Sequence, residues 1–346
     1  MLTPVSPAEL AGISVAELAT SPAPGRWHET LRSLGVYQQD GAWIVSRPGD
    51  VAAALASAGL SVAPPPGDGG AADSLLRRMA RFSDDPAHQR RRELVTSLLP
   101  SVPELVTLTA DRVNQALRRR IATFDIMPLA RSLPAAVLAS AMGLSASQAE
   151  QAAELTGQLC DAVTPVLGPH PVAPDIGDEA AVELCALLAA FGRRADSAET
   201  AEAAVAAASI LFQARDATAA LIGLTVLAGQ TGLTPGWQID KVLRHVAPVQ
   251  CTRRFAIADT AIGTVTVPAG AQMWIFVAAA ERGTGIPATF GSGLHACPGA
   301  SQAIAIARQV VTVLQTEGWH AAAGQRIELE PRPNVRVPRR VLMSRL

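Results

Sequence analysis

The chain of 346 residues holds a single lysine, Lys241, and a single tyrosine, Tyr37. Aromatic residues make up 4% and charged residues 17%, against roughly 25% charged in ordinary globular domains. No basic tail or lysine-rich run exists, and the formal net charge is -1. A broad electrostatic face for nucleic acid is thereby excluded. Cysteine is scarce too: Cys160, Cys185, Cys251 and Cys297 form no CxxC pair and no zinc-like spacing. That usage fits a reducing compartment better than a disulfide scaffold. The segment Met1–Gly12 lacks the basic and apolar regions of a signal peptide. One run, Ala201–Ala228, has the length of a membrane span, but Glu202, Gln213, Arg215 and Asp216 interrupt it. It reads as a long buried helix, and the protein as cytoplasmic with no membrane or nucleic-acid partner.

Hydrophobic residues reach 49%, which excludes general disorder and supplies a large core. With no linker and no internal repeat, residues 1–346 read as one domain. The pattern is mainly α with a smaller β region at residues 36–46, 251–277 and 326–346. Pro7-Ala8-Glu9-Leu10 opens a first helix, and Asp40-Gly41 turns a hairpin within Val36–Val45. Asp50–Leu60 reads as a short helix. Pro64–Gly70, Pro165–Pro174, Arg193–Glu199 and Gly283–Gly293 read as loops or breaks. Ser83-Asp84-Asp85-Pro86 caps a helix carrying His88 and Arg90 to Arg92. Arg254–Ile257, Ala261–Val267 and Met273–Val277 are β-type runs, and Gly299–Gly318 is helical.

The strongest motif is Phe290-Gly291-Ser292-Gly293-Leu294-His295-Ala296-Cys297-Pro298-Gly299. Gly291, Gly293 and Ala296 match the dinucleotide pattern G-x-G-x-x-A. That pattern needs a buried strand before it and an unbroken helix through it, and this sequence offers neither. A thiolate ligand suits the residues better. The glycines leave room for a flat group against the backbone. Pro298 as first helical residue would put Cys297 at a helix N-terminus, which favours the deprotonated sulfur. Cys160, Cys185 and Cys251 lack such neighbours and read as small core hydrophobes.

The segment resembles the heme-binding loop of cytochrome P450, F-x-x-G-x-H/R-x-C-x-G. The resemblance implies a P450-like fold and heme b, with Cys297 as axial ligand to the iron. It also covers Asp85–Arg92, similar to the family's D-P-P-E-H-x-x-x-R helix, where His88 and Arg92 share one face at i, i+4. Pro248–Arg254 resembles the strand after the K helix, and Asp259–Gly270 its following hairpin. The resemblance thus assigns His88, Arg92, Arg254 and His295 to the heme propionates, and Phe290, Gly291, Gly293 and Gly299 to the cofactor cradle. Taken singly, each basic residue would read as a surface salt bridge.

Three departures stand out. The family's E-x-x-R is Lys241-Val242-Leu243-Arg244, so the usual ion pair with Arg244 cannot form. Ala279-Ala280-Glu281-Arg282 resembles A-N-R-D, but Phe290 follows almost at once, leaving a shortened meander. Gln213-Ala214-Arg215-Asp216-Ala217-Thr218 resembles A-G-x-E/D-T-T with alanine in place of the first threonine. Asp216 takes the acid position, with a salt bridge to Arg215 or a neighbouring helix as the alternative, and Thr218 is rotated from Ala217 by about 100° unless a local bulge brings it into place. The expected function is a heme-thiolate oxidoreductase, by default a monooxygenase of a small organic, secondary-metabolite-type substrate, fed by a ferredoxin-type donor. Asp216 and Thr218 are its catalytic candidates, and Arg90 and Arg91 its docking candidates. Peroxide-dependent or rearrangement chemistry is one alternative. A non-catalytic partner of a biosynthetic glycosyltransferase is another.

Overall fold

The computed structural model describes residues 6–20, 25–62, 69–120, 122–163, 174–191, 197–230, 237–281, 288–330, 332 and 334–345. Most of the expected loops at 64–70, 165–174, 193–199 and 283–293 lie outside the described residues, as do Arg193 and Arg282. The chain is about 60% helical and divides into two compact units, each assembled from separated stretches.

The first unit comprises Met1–Pro64, Asp240–Cys297 and Leu329–Arg336. Its five-stranded sheet runs in the order Tyr37–Gln39, Ala42–Val45, Gln272–Ile275, Thr252–Ala256, Leu60–Ser61. The first two strands form the expected hairpin, with Asp40 and Gly41 at φ 51° and 74°, as a two-residue turn requires. Ala42–Val45 pairs in parallel with Gln272–Ile275, and the other neighbours are antiparallel. Successive side chains on a strand take opposite faces. Ile44, with Cys251 and Phe276, packs on Leu10, Leu18 and Leu31 of the N-terminal helices. Val45, Met273 and Ile275 pack on Val51, Ala54 and Leu55 of the Pro48–Ala56 helix. A hairpin of Thr260–Ile262 and Val265–Val267 completes the unit's strands.

Two expectations are corrected. The helix expected over Asp50–Leu60 ends at Ala56, because Ser57 is extended and Leu60–Ser61 pairs with Phe255–Ala256. Among the described residues, the terminal stretch from Arg326 yields one strand, Leu342–Arg345, and otherwise only isolated bridge positions, Val335 with Val249 among them. Pro338 has no N–H with which to extend a ladder there.

The second unit comprises Pro65–Ile239, Pro298–Glu328 and Val337–Leu346. Its centre is the Ser197–Gln230 helix, packed by Met127–Ala141, Ala146–Val163, Pro174–Phe191, Ala300–Thr316 and His88–Leu98. By length and composition it is the one described helix able to cross a membrane, and 72% of its most apolar window is buried within the protein. A three-stranded sheet, ordered Phe124–Asp125, Leu342–Arg345, Trp319–Ala321, closes one side.

Candidate functional site

In the first unit, the segment from Ala288 to Cys297 is shaped by its glycines. Gly291 and Gly293 sit at φ 69° and 66°, a conformation costing other residues about 1–2 kcal/mol. Gly293 to His295 then makes one 3-10 turn. The Gly291 N–H donates to the Ala288 carbonyl at 2.9 Å, and the Cys297 N–H donates to the Phe290 carbonyl at 2.7 Å. The second bond closes the loop from Phe290 to Cys297 and fixes the cysteine backbone. Behind the loop stands the Pro48–Ala56 helix. A Cβ on Gly293 would meet the Leu55 carbonyl at 3.5 Å.

Cys297 is reduced and exposed, while Cys160 and Cys251 are buried. Burial pushes the Cys251 thiol well above its ordinary pKa, with the Arg253 charge opposing. Phe290, Gly291 and His295 are half-buried, and Leu294 is 72% exposed. The helix expected from Pro298 starts at Ala300, with Gly299 as its N-cap. Pro298 and Gly299 form a turn instead of the first helical residues. Arg254 lies on the Thr252–Ala256 strand and is 6% exposed. Its Nη1 donates to Thr252 Oγ1 at 3.0 Å and to the Arg253 carbonyl at 2.8 Å. An exposed thiol at the end of a loop turned by glycines suits a thiolate-bound flat cofactor. A buried guanidinium in the same unit adds a donor suited to carboxylates.

The other candidates lie in the second unit. His88 opens the His88–Leu98 helix, is 7% exposed, and has both ring nitrogens shielded from solvent. Arg92, one turn later, is half-buried. Arg91 is committed elsewhere: its Nη1 meets Asp85 Oδ2 at 3.0 Å, whereas Arg90 is exposed.

The Ser197–Gln230 helix is α-helical throughout, so no bulge moves Thr218 into the place of Ala217. Ala217 and Gln213, four residues apart on one face, are half-buried on a helix otherwise mostly buried. Thr218 is 1% exposed. Asp216 Oδ1 accepts from Arg215 Nη1 at 2.9 Å. Arg215, 7% exposed, also grips Asp161 of the Ala146–Val163 helix in bidentate fashion, at 3.0 and 3.1 Å. Burial works against the Arg215 charge, and the carboxylates of Asp216 and Asp161 outweigh it, so its pKa rises.

Two groups escaped the reading of the sequence. The Arg215–Asp161 pair joins positions too far apart for any local pattern. Glu281 closes an apolar helix, Val277–Glu281, and is 3% exposed. Burial raises its pKa, while hydrogen bonds from Thr289 and Ala288 and the charge of Arg244 oppose the rise. The signal available was an acid ending the run Val277-Ala278-Ala279-Ala280, since charged residues are seldom buried unless paired.

No protein-family model matches the chain, and no curated protein matches it by sequence. Solved structures do. CalO2 is 19% identical with a TM-score of 0.79, covering 100% of this chain and 99% of that one. P450BioI, solved with a hexadec-9Z-enoic acid ligated acyl carrier protein, is 20% identical with a TM-score of 0.77, covering 96% and 100%. CYP164A2 from Mycobacterium smegmatis, in its ligand-free state, is 21% identical with a TM-score of 0.75, covering 97% and 100%. The chain has the cytochrome P450 fold, mainly α with small sheets.

Proposed function

We propose that this chain is a heme-thiolate oxidoreductase acting on a small organic substrate. The observation that carries the reading is Cys297, exposed at the end of its glycine-turned loop on a P450 fold. In this proposal Cys297 holds the iron of heme b. The resemblance assigns Arg254, His295, His88 and Arg92 to the two propionates. Phe290, Gly291, Gly293 and Gly299 form the cradle. Bound heme supplies the redox-active iron, whose electron density a thiolate ligand raises. Monooxygenation of a secondary-metabolite-type substrate with a ferredoxin-type donor is the leading activity, in a cytoplasmic setting.

The protein's own part in that activity is to deliver protons, and only a donor within reach can do so. Asp216 and Thr218 are the proposed donors. Yet Asp216 is ion-paired to Arg215, and Ala217 carries no donor. These observations favour a second reading, peroxide-dependent or non-monooxygenase chemistry on the same thiolate site.

The absorption spectrum of the purified protein, reduced under carbon monoxide, tests the first proposal. A strongly red-shifted Soret band is expected. Protein that stays colourless after expression with ample heme overturns the heme reading and leaves the non-catalytic partner of a glycosyltransferase in its place. Product formed per reducing equivalent, in wild type and Ala217→Thr, separates the two enzyme readings. Improved coupling in the variant supports a monooxygenase lacking one donor. Efficient peroxide-driven turnover with no gain from threonine supports the second.

A further inference from the structure

A carboxylate buried at the end of an alanine-rich helix must be met by donors, because an uncompensated buried charge costs several kcal/mol. Glu281 meets them on the segment that leads into the cysteine loop. Its Oε2 accepts the Thr289 N–H at 3.2 Å and also the Thr289 hydroxyl. The Ala288 N–H is a further donor, and Arg244 of the Ile239–His245 helix adds opposite charge. Ala288 in turn accepts the Gly291 N–H, and Phe290 accepts the Cys297 N–H. One buried side chain is therefore linked through consecutive backbone ties to the cysteine.

We infer that Glu281 is a positioning residue for Cys297: by gripping Ala288 and Thr289 it fixes where the cysteine loop begins. At position 241, where the resemblance calls for a glutamate beside Arg244, the chain has Lys241. The buried carboxylate near the loop is instead Glu281, whose hydrogen bonds go to Thr289, with the Arg244 charge acting on it electrostatically. The inference uses the proposed ligand role of Cys297 only for its spectroscopic consequence, and the anchoring holds without heme.

The test is amide hydrogen exchange on the full chain prepared without heme, comparing wild type, Glu281→Ala, Glu281→Gln and Thr289→Val. The reporters are the Gly291 and Cys297 amides, and the Thr252–Ala256 strand serves as reference. Glu281→Ala removes both hydrogen bonds to Thr289 and should speed exchange at the reporters at least about tenfold, with the reference unchanged. Thr289→Val should act in the same place and more weakly. Glu281→Gln keeps an acceptor and should stay near wild type. In heme-loaded protein, Glu281→Ala should also lose part of the red-shifted carbon monoxide band that Glu281→Gln keeps. Unchanged reporters in Glu281→Ala would overturn the inference. Equal acceleration of reporters and reference would overturn it too, since Glu281 would then support the unit in general. Should Glu281→Ala not fold, Thr289→Val decides: reporters accelerated above the reference support the inference, and unchanged reporters overturn it. Wild type without the red-shifted band fails the heme reading alone, because the exchange measurement still judges Glu281.

Discussion

In the β-containing unit, Cys297 is held by bonds within its own stretch of chain, from Ala288 to Phe290. In the helical unit, Asp216 is held by Arg215, which reaches across to Asp161 on a different helix. The first arrangement rests on backbone conformation that only glycine adopts without strain. The second rests on a buried charge that needs partners from distant positions. A loop of the first kind leaves a motif in the sequence. A network of the second kind leaves almost none, so a residue can match a catalytic position while its side chain is engaged elsewhere.

The comparison breaks most sharply at the thiol. Cys297→Ser should abolish thiolate ligation and its spectrum entirely, while far-ultraviolet circular dichroism stays helical. An unchanged reduced carbon monoxide spectrum would mean another ligand. In heme-free protein, a thiol reagent followed by peptide mass spectrometry should modify Cys297 first. Cys160 and Cys251 should stay protected, since burial disfavours the Cys251 thiolate.

Next in size is the ion network of the helical unit. Arg215→Ala takes the guanidinium away from two carboxylates, one of them only 18% exposed. It should cost about 2–4 kcal/mol, less than a fully buried pair because Asp161 is 36% exposed. Asp216→Asn, which leaves the bidentate Arg215–Asp161 contact in place, should cost under about 1 kcal/mol. Urea unfolding midpoints measure both. Equal losses would show that Asp216, not Asp161, carries the network.

Gly291→Ala tests the loop in the same currency. The space is adequate, since the new Cβ would lie 3.5 Å from the His295 carbonyl. The cost of about 1–2 kcal/mol therefore comes from the positive φ. It should appear as faster hydrogen exchange in the loop more than as a lower midpoint for the helical unit.

The smallest effect has the opposite sign. Thr109 is fully buried on the Val102–Leu117 helix with its hydroxyl unbonded. Thr109→Val should be neutral or stabilising by about 1 kcal/mol, measured by thermal unfolding. A loss would mean that a water or an alternate rotamer satisfies the hydroxyl.

Much of this is legible in the sequence alone. The Asp40-Gly41 hairpin, the long alanine-rich helix and the strand runs after Pro248 follow from local turn chemistry and periodicity. The Phe290–Gly299 motif was legible for the same reason, its conformation being written in Gly291 and Gly293. The edge strand Leu60–Ser61 was not, since two residues become a strand only when Phe255–Ala256 offers an open ladder. The terminal stretch reads as β because its valines suit strands, yet Leu342–Arg345 is the part that finds partner strands, Phe124–Asp125 and Trp319–Ala321.

By itself the sequence determined the fold class, the cysteine with its loop, and the positions at which Lys241 and Ala217 depart from the resemblance. These are matters of residue type at short spacing, where local sterics and hydrogen bonding act. Tertiary structure alone decided that Arg215 reaches Asp161 on another helix and that Glu281 lies buried against Thr289. Both depend on which partner a charge meets once water is removed, and desolvation is a property of the packed interior.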